Sequence, residues 1–211
     1  MIRYQSKNPY RNEDSVTPPF PTIGEEPPPS EDKNNKIFLY EEISDLAVLR
    51  TRKQIDKKVF THKKYLLEND LLINSIPNDY FHINLYINSY GGSVSDAFNL
   101  YDYIKSCPIP IYTYVEGMAA SAATIISISG KKRFMSSNSL LMVHQISSWF
   151  GGKYEEFKDE KANLDLFMEM IKNIYLNDTK LKIRSLNTML KKDVYLKASK
   201  CLEYGFIDQI V

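Results

Sequence analysis

One serine in this chain stands among residues with almost no side chain: Val115-Glu116-Gly117-Met118-Ala119-Ala120-Ser121-Ala122-Ala123. Small neighbours let a second backbone come close to its hydroxyl. A serine placed this way at a strand-to-helix junction has its oxygen exposed and the next amide free. A nucleophile with a built-in oxyanion site needs both. A tightly packed Ala-rich helix with an incidental serine fits the same letters, so the rest of the chain must decide. Three histidines are available. His62 lies in the polar stretch Thr61-His62-Lys63-Lys64 and reads as a surface residue with no partner. His82 precedes an apolar strand and reads as structural. His144 closes the run Leu140-Leu141-Met142-Val143, downstream of the serine, where it can take the Ser121 proton as general base.

A histidine base needs a carboxylate to fix its tautomer and stabilise the imidazolium. The candidates after His144 are Asp159, Asp165, Asp178, Asp193 and Asp208. Asp193 sits in an ordered-looking turn before apolar residues, which favours it only slightly. Two backbone amides complete such a site. One belongs to Ala122. The other comes from Gly91-Gly92, whose missing Cβ atoms admit a bound carbonyl. The Gly-Gly-Ser turn has neither the Lys-Ser/Thr of a phosphate loop nor a third spaced glycine, which argues against nucleotide binding.

The elements around these residues alternate. Ile37-Phe38-Leu39-Tyr40 reads as a strand, and 44–58 as a surface helix; 61–78 is ambiguous. Ile83–Ile87 is a strand feeding the turn Asn88-Ser89-Tyr90-Gly91-Gly92-Ser93. Val94, Ala97, Phe98, Tyr101 and Ile104 give the next helix its face, which Cys107-Pro108-Ile109-Pro110 stops. Ile111–Val115 is a strand, the serine segment opens a helix ending near Gly130, and Leu140–His144 is a third strand. Strand–turn–helix repeats of this kind imply parallel strands and right-handed crossovers, with function at the C-terminal strand ends. The Gly-Gly turn, Ser121 and His144 all fall there. A long helix is predicted over about 153–182, striped by Phe157, Leu164, Phe167, Ile171 and Tyr175. It either covers the core or protrudes to bury its stripe against another subunit. A helix at 199–203 and a terminal strand in 204–211 close the chain.

Bulk properties narrow the classes. The 211 residues carry a net charge of +1, enough chain for one core and too little charge for a dedicated nucleic-acid or membrane-surface binder. No apolar run approaches the roughly 20 residues needed to span a bilayer, and the N-terminus has no signal core. Cys107 and Cys201 make neither a disulfide framework nor a metal site and read as buried thiols. A soluble cytoplasmic protein is expected. Seven of the ten prolines fall in residues 1–35, which read as an extended or disordered arm. The folded domain is expected at 36–211.

Four motifs in order carry a resemblance: Ile87-Asn88-Ser89-Tyr90-Gly91-Gly92-Ser93, Gly117-Met118-Ala119-Ala120-Ser121, Met142-Val143-His144-Gln145 and Leu202-Glu203-Tyr204-Gly205-Phe206-Ile207-Asp208. Together they resemble the proteolytic subunit of the Clp protease over roughly 37–211. The resemblance implies an α/β, ClpP- or crotonase-like fold with parallel β-α repeats and a protruding handle helix. It implies a Ser-His-Asp triad of Ser121, His144 and Asp193, with Gly92 and Ala122 as oxyanion donors. It also implies two stacked heptameric rings enclosing a chamber, unfolded polypeptide substrates and a partner AAA+ unfoldase. That partner uses the ATP; the chain itself needs no cofactor and no metal. Tyr90 stands where the family usually has proline, Ala122-Ala123 where it has Met-Gly, and Ile146 where a proline often follows. The Ser121–His144 interval is about two residues short, and the arm is unlike the family's axial loop. These departures point to a divergent branch of phage or virus type. Two rival functions share the fold: a phage-type capsid maturation or self-processing peptidase, and a non-proteolytic crotonase-like enzyme or ring scaffold.

Overall fold

A computed structural model of the protein describes residues 35–69 and 81–211. The predicted arm, up to residue 34, and the later part of the ambiguous 61–78 stretch lie outside the described residues. The strands are β1 (Lys36–Leu39), β2 (Ile83–Ser89), β3 (Ile111–Ala120), β4 (Lys132–Met135), β5 (Leu140–Val143), β6 (Val194–Lys197) and β7 (Gln209–Ile210). The helices are α1 (Asp45–Glu68), α2 (Val94–Ser106), α3 (Ala122–Ser127), α4 (Tyr154–Asp178), α5 (Ile183–Leu190) and α6 (Ala198–Tyr204). The sheet runs β1-β2-β3-β4-β7, all parallel, with β5 added to the far half of β3 and β6 antiparallel to β5. This is the expected α/β architecture of parallel β-α repeats.

Alternation builds the core. Ile83, Leu85 and Ile87 of β2 point inward with Ile37 and Leu39 of β1 and Ile111 and Val115 of β3. Helices α1, α2 and α3 pack against that side. The other face carries an in-register aromatic ladder, one ring per strand: Phe38, Tyr86, Tyr114 and Phe134. Successive centroids are 5.3, 4.8 and 4.6 Å apart, all stacked. Such cross-strand aromatic pairs add to sheet stability and fix register.

The strand β3 differs from its expected form. It continues through Gly117, Met118, Ala119 and Ala120 instead of turning helical after Val115. Its first half pairs with β4 and its second half with β5. Gly117, at φ +77°, makes the change of partner, and a Cβ there would press on the Asn88 side chain at 2.8 Å. Ala119 and Ala120 are fully buried because two strands and a helix converge on them. Their size reflects close packing rather than helix propensity.

The long helix also ends earlier than expected. Helix α4 has 25 residues, about 37 Å of axis, and stops at Asp178, with a separate α5 following. Thr179 ends it in extended backbone, its Oγ1 and amide both donating to the Tyr175 carbonyl, and Lys180 then docks its amide on the Tyr204 carbonyl. Only Ile171 and Tyr175 of its stripe are buried, while Phe157, Leu166 and Met170 stay exposed. Of the two thiols, Cys201 is buried as expected and Cys107 only half-buried.

His62 is not the surface residue its polar neighbours suggested. Helix α1 runs ten residues past 58, to Glu68, and Ile55, His62 and Leu66 share its buried face. His62 is 1% exposed, stacks edge-on against Phe81, and has its Nδ1 unpartnered among the described residues. Burial, then the charges of Lys58 and His82, push its pKa down to about 4. The unfolded chain protonates this ring near 6.5, so below that pH the unfolded state binds the extra proton. The stability is present above about 6.5 and is lost as pH falls towards 4. We expect the thermal midpoint to drop between pH 7.5 and 4.5, and His62→Gln to shrink that drop. Identical pH dependence in both proteins would refute this role for the ring.

Candidate active site

The fold brings the expected site residues to one edge of the sheet, with Ala122 opening α3 directly after Ser121. Gly91 and Gly92 follow β2, Ser121 follows β3, His144 follows β5 and Asp193 precedes β6. Ser121 Oγ lies 2.7 Å from His144 Nε2, a hydrogen bond. His144 Nδ1 lies 3.4 Å from Asp193 Oδ1, an ion-pair distance longer than a hydrogen bond. The Asp193 side chain is 74% exposed and that of His144 19%.

Topology explains this meeting. Strand β5 pairs antiparallel with β6 so that Val143 faces Val194. The residue after Val143 and the residue before Val194 are therefore cross-strand neighbours, and these are His144 and Asp193. Serine joins through the other edge of β5, because Ala120 pairs with Met142 and the Ser121 amide donates to the Met142 carbonyl at 2.9 Å.

The other candidate aspartates lie elsewhere. Asp178 binds Lys105 at 2.8 Å and the Tyr101 hydroxyl. Asp165 pairs with Lys161 one helical turn away, and Asp159 lies exposed on α4. Asp208 takes a bidentate contact from Arg133 at 2.6 and 3.0 Å. Burial raises the Asp208 pKa, but the hydrogen bonds and charge of Arg133 outweigh it and hold the carboxyl below its ordinary value.

Ser121 adopts φ 54° and ψ −126°, and it is the one non-glycine residue with positive φ among those described. The turn is crowded: a Cβ on Gly91, itself at φ +104°, would lie 2.7 Å from Ser121 Cβ and 2.8 Å from the Ala120 carbonyl. Ala122 is the first residue of α3, so its amide has no partner within the helix. The parallel bridge between Ile43 and Gly92 uses the Gly91 carbonyl and the Ser93 amide, leaving the Gly92 amide outside the ladder. Both expected oxyanion amides thus stand free of the secondary structure around them. A cleft of about 490 Å³, lined by Tyr40, Glu41, Glu42, Asn88 and the two glycines, flanks this turn. A second cleft of about 660 Å³ lies at the other end of the strands, by Cys107, Ile111 and Arg133.

Three supporting groups escaped the sequence reading. Asn88 Oδ1 accepts from the Met118 amide at 3.1 Å, and Ser139 Oγ from the Gly117 amide at 2.8 Å; both hold the bulge of β3. Thr124 binds the Ser121 carbonyl at 2.6 Å. A threonine heading an otherwise apolar run was the available signal. No group of three or more potential metal ligands occurs among the described residues. No described helix is long and apolar enough to cross a membrane.

The fold has solved counterparts. The structure of a ClpP1 point mutant from Listeria monocytogenes superposes with a TM-score of 0.67 at 21% identity, covering 84% of this chain and 91% of that one. That likeness defines the architecture as the ClpP type of α/β fold. In sequence, the ATP-dependent Clp protease proteolytic subunit of Cyanophora paradoxa is 32% identical over 130 residues, 61% of this chain and 67% of that protein. The family model for Clp protease matches residues 32–211. The chain belongs to the Clp protease family.

Gly91→Ala is expected to cost about 1–3 kcal/mol of stability, because a strained φ and a backbone clash meet at one atom. Denaturant unfolding measures this, and an unchanged midpoint would refute the close approach of Gly91 to Ser121.

Proposed function

We propose that this chain is a serine endopeptidase that cuts unfolded polypeptide with Ser121, His144 and Asp193 as its triad. The observation that carries this reading is the 2.7 Å bond from Ser121 to His144, made by a backbone-strained serine in a Clp protease family chain. His144 Nε2 takes the Ser121 proton as Oγ attacks the peptide carbonyl carbon. The carbonyl π electrons move to oxygen, and the amides of Gly92 and Ala122 receive that oxyanion. His144 then gives its proton to the leaving amine, and water hydrolyses the acyl-enzyme by the same steps reversed. Asp193 keeps the other ring nitrogen protonated and stabilises the imidazolium. Its 3.4 Å contact is of the kind that tightens when substrate binds. Neither a cofactor nor a metal enters these steps.

In this reading the catalytic edge faces a chamber formed by stacked rings, seven chains in each. The exposed Phe157, Leu166 and Met170 of α4 suit burial against other copies. Unfolded chains are delivered by an AAA+ ATPase, which consumes the ATP.

Ser121→Ala is expected to abolish both peptide hydrolysis and labelling by a fluorophosphonate probe; labelling that survives would sink the assignment. For Asp193→Asn, steady-state kinetics should give a kcat lower by roughly 10³–10⁴-fold, since the histidine loses its tautomer control. Wild-type kcat in that variant would remove Asp193 from the triad. Native mass measurement tests the chamber: a multiple of the 24.5 kDa chain is expected, and a monomer alone would overturn it.

A further inference from the structure

Three buried groups connect the long helix to the serine turn. Thr124 Oγ1 donates to the Ser121 carbonyl at 2.6 Å, and the Thr124 amide donates to the same oxygen at 3.0 Å. The hydroxyl has one proton, and that bond uses it. The Tyr175 hydroxyl of α4 also touches Thr124 Oγ1, so in this pair Tyr175 is the donor. Thr124 is 0% exposed and Tyr175 2%, so water cannot replace either partner. Phe206 steadies the Tyr175 ring edge-on, with centroids 5.8 Å apart.

The planarity of the peptide bond gives this contact its consequence. The Ser121 carbonyl and the Ala122 amide belong to one rigid trans unit, with C=O and N–H pointing in opposite directions. Drawing the carbonyl towards Thr124 therefore aims the Ala122 N–H the other way. Ser121 makes no side-chain cap bond of its own to hold the turn. We propose that Thr124 and Tyr175 are positioning residues: they fix the peptide unit that supplies the Ala122 amide to the oxyanion, and they tie its aim to the seating of α4. This rests on the reading of Ser121 as nucleophile and Ala122 as oxyanion donor.

The test takes the full chain and reads three quantities: the rate of fluorophosphonate labelling at Ser121, kcat and KM on a peptide, and the thermal midpoint. Thr124→Val and Tyr175→Phe are each expected to slow labelling and lower kcat roughly tenfold with KM unchanged, less than outright loss of an oxyanion donor. Thr124→Ser keeps the hydroxyl and is expected to keep kcat. Tyr175→Phe keeps the ring against Phe206 and decides the matter should Thr124→Val fail to fold. Thr124→Val leaves the buried Tyr175 hydroxyl without its acceptor; adding Tyr175→Phe removes that hydroxyl, so the midpoint of the double variant is expected to rise above that of Thr124→Val while kcat stays low. Recovery of kcat together with the midpoint would overturn the proposal, because only burial would then have been at stake. Wild-type labelling in both single variants would overturn it too. If the wild-type chain takes no label at Ser121, the nucleophile reading fails, and the relay falls with it.

Discussion

Ser121 sits in a backbone conformation that a side chain raises in energy by on the order of 1–3 kcal/mol, and much of the surrounding structure holds it there. Its amide is tied to β5, its carbonyl to Thr124 twice, and its Cβ lies where a side chain on Gly91 would collide with it. A strand running directly into a helix would normally bury its last side chain or point it along the helix. The positive φ turns Ser121 out of both, so its oxygen reaches His144 while Ala120 and Ala122 on either side stay buried. Strain at one residue is stable only when its neighbours over-determine it.

That constraint propagates through β3. A strand with a single partner on each side could not serve both β4 and β5, which lie along the same edge at different heights. The break at Gly117, held by Asn88 and Ser139, lets the first half anchor in the central sheet and the second half reach β5. Strand β5 then does two tasks with four residues. One edge fixes Ser121, and the other pairs with β6, bringing in Asp193 from the far end of the chain. The serine and aspartate are 72 positions apart in sequence, yet each is one residue beyond a ladder shared with β5.

Much of the parallel core was legible because its signals are local. The β2 strand alternates, and the turn glycines and the proline stop after α2 mark boundaries by backbone chemistry alone. Ser121 and His144 could be named because both follow apolar strands. The full length of β3 was not legible, since Ala119 and Ala120 are good helix formers and their strand state comes from tertiary crowding. Strand β6 was also hidden, because Val194-Tyr195-Leu196-Lys197 gives too short a pattern to imply its antiparallel partner. Spacing therefore left five aspartates open; the resemblance pointed to Asp193, and the Val143–Val194 register is what brings that residue beside His144. His62 was misplaced for a related reason. Its immediate neighbours are polar, and its burial follows from the 3.6-residue period of a helix longer than its apolar signal.

The contacts of the proposed triad are unequal, and exposure explains the difference. The Ser121–His144 bond lies in a part-buried setting where few waters compete. The His144–Asp193 contact pairs a sheltered ring with a carboxylate that is three-quarters open to solvent. Towards the imidazolium that forms during the reaction, a carboxylate so placed contributes little while water screens it, on the order of 0–1 kcal/mol as for other exposed pairs. The same pair strengthens steeply once water is excluded, because the effective dielectric falls faster than the distance need change. Serine and histidine are thus placed by the fold of one chain, whereas the strength of the aspartate depends on what covers it. In the proposed reaction a bound substrate supplies that cover, so the isolated chain has the His144–Asp193 geometry in place but only weakly coupled.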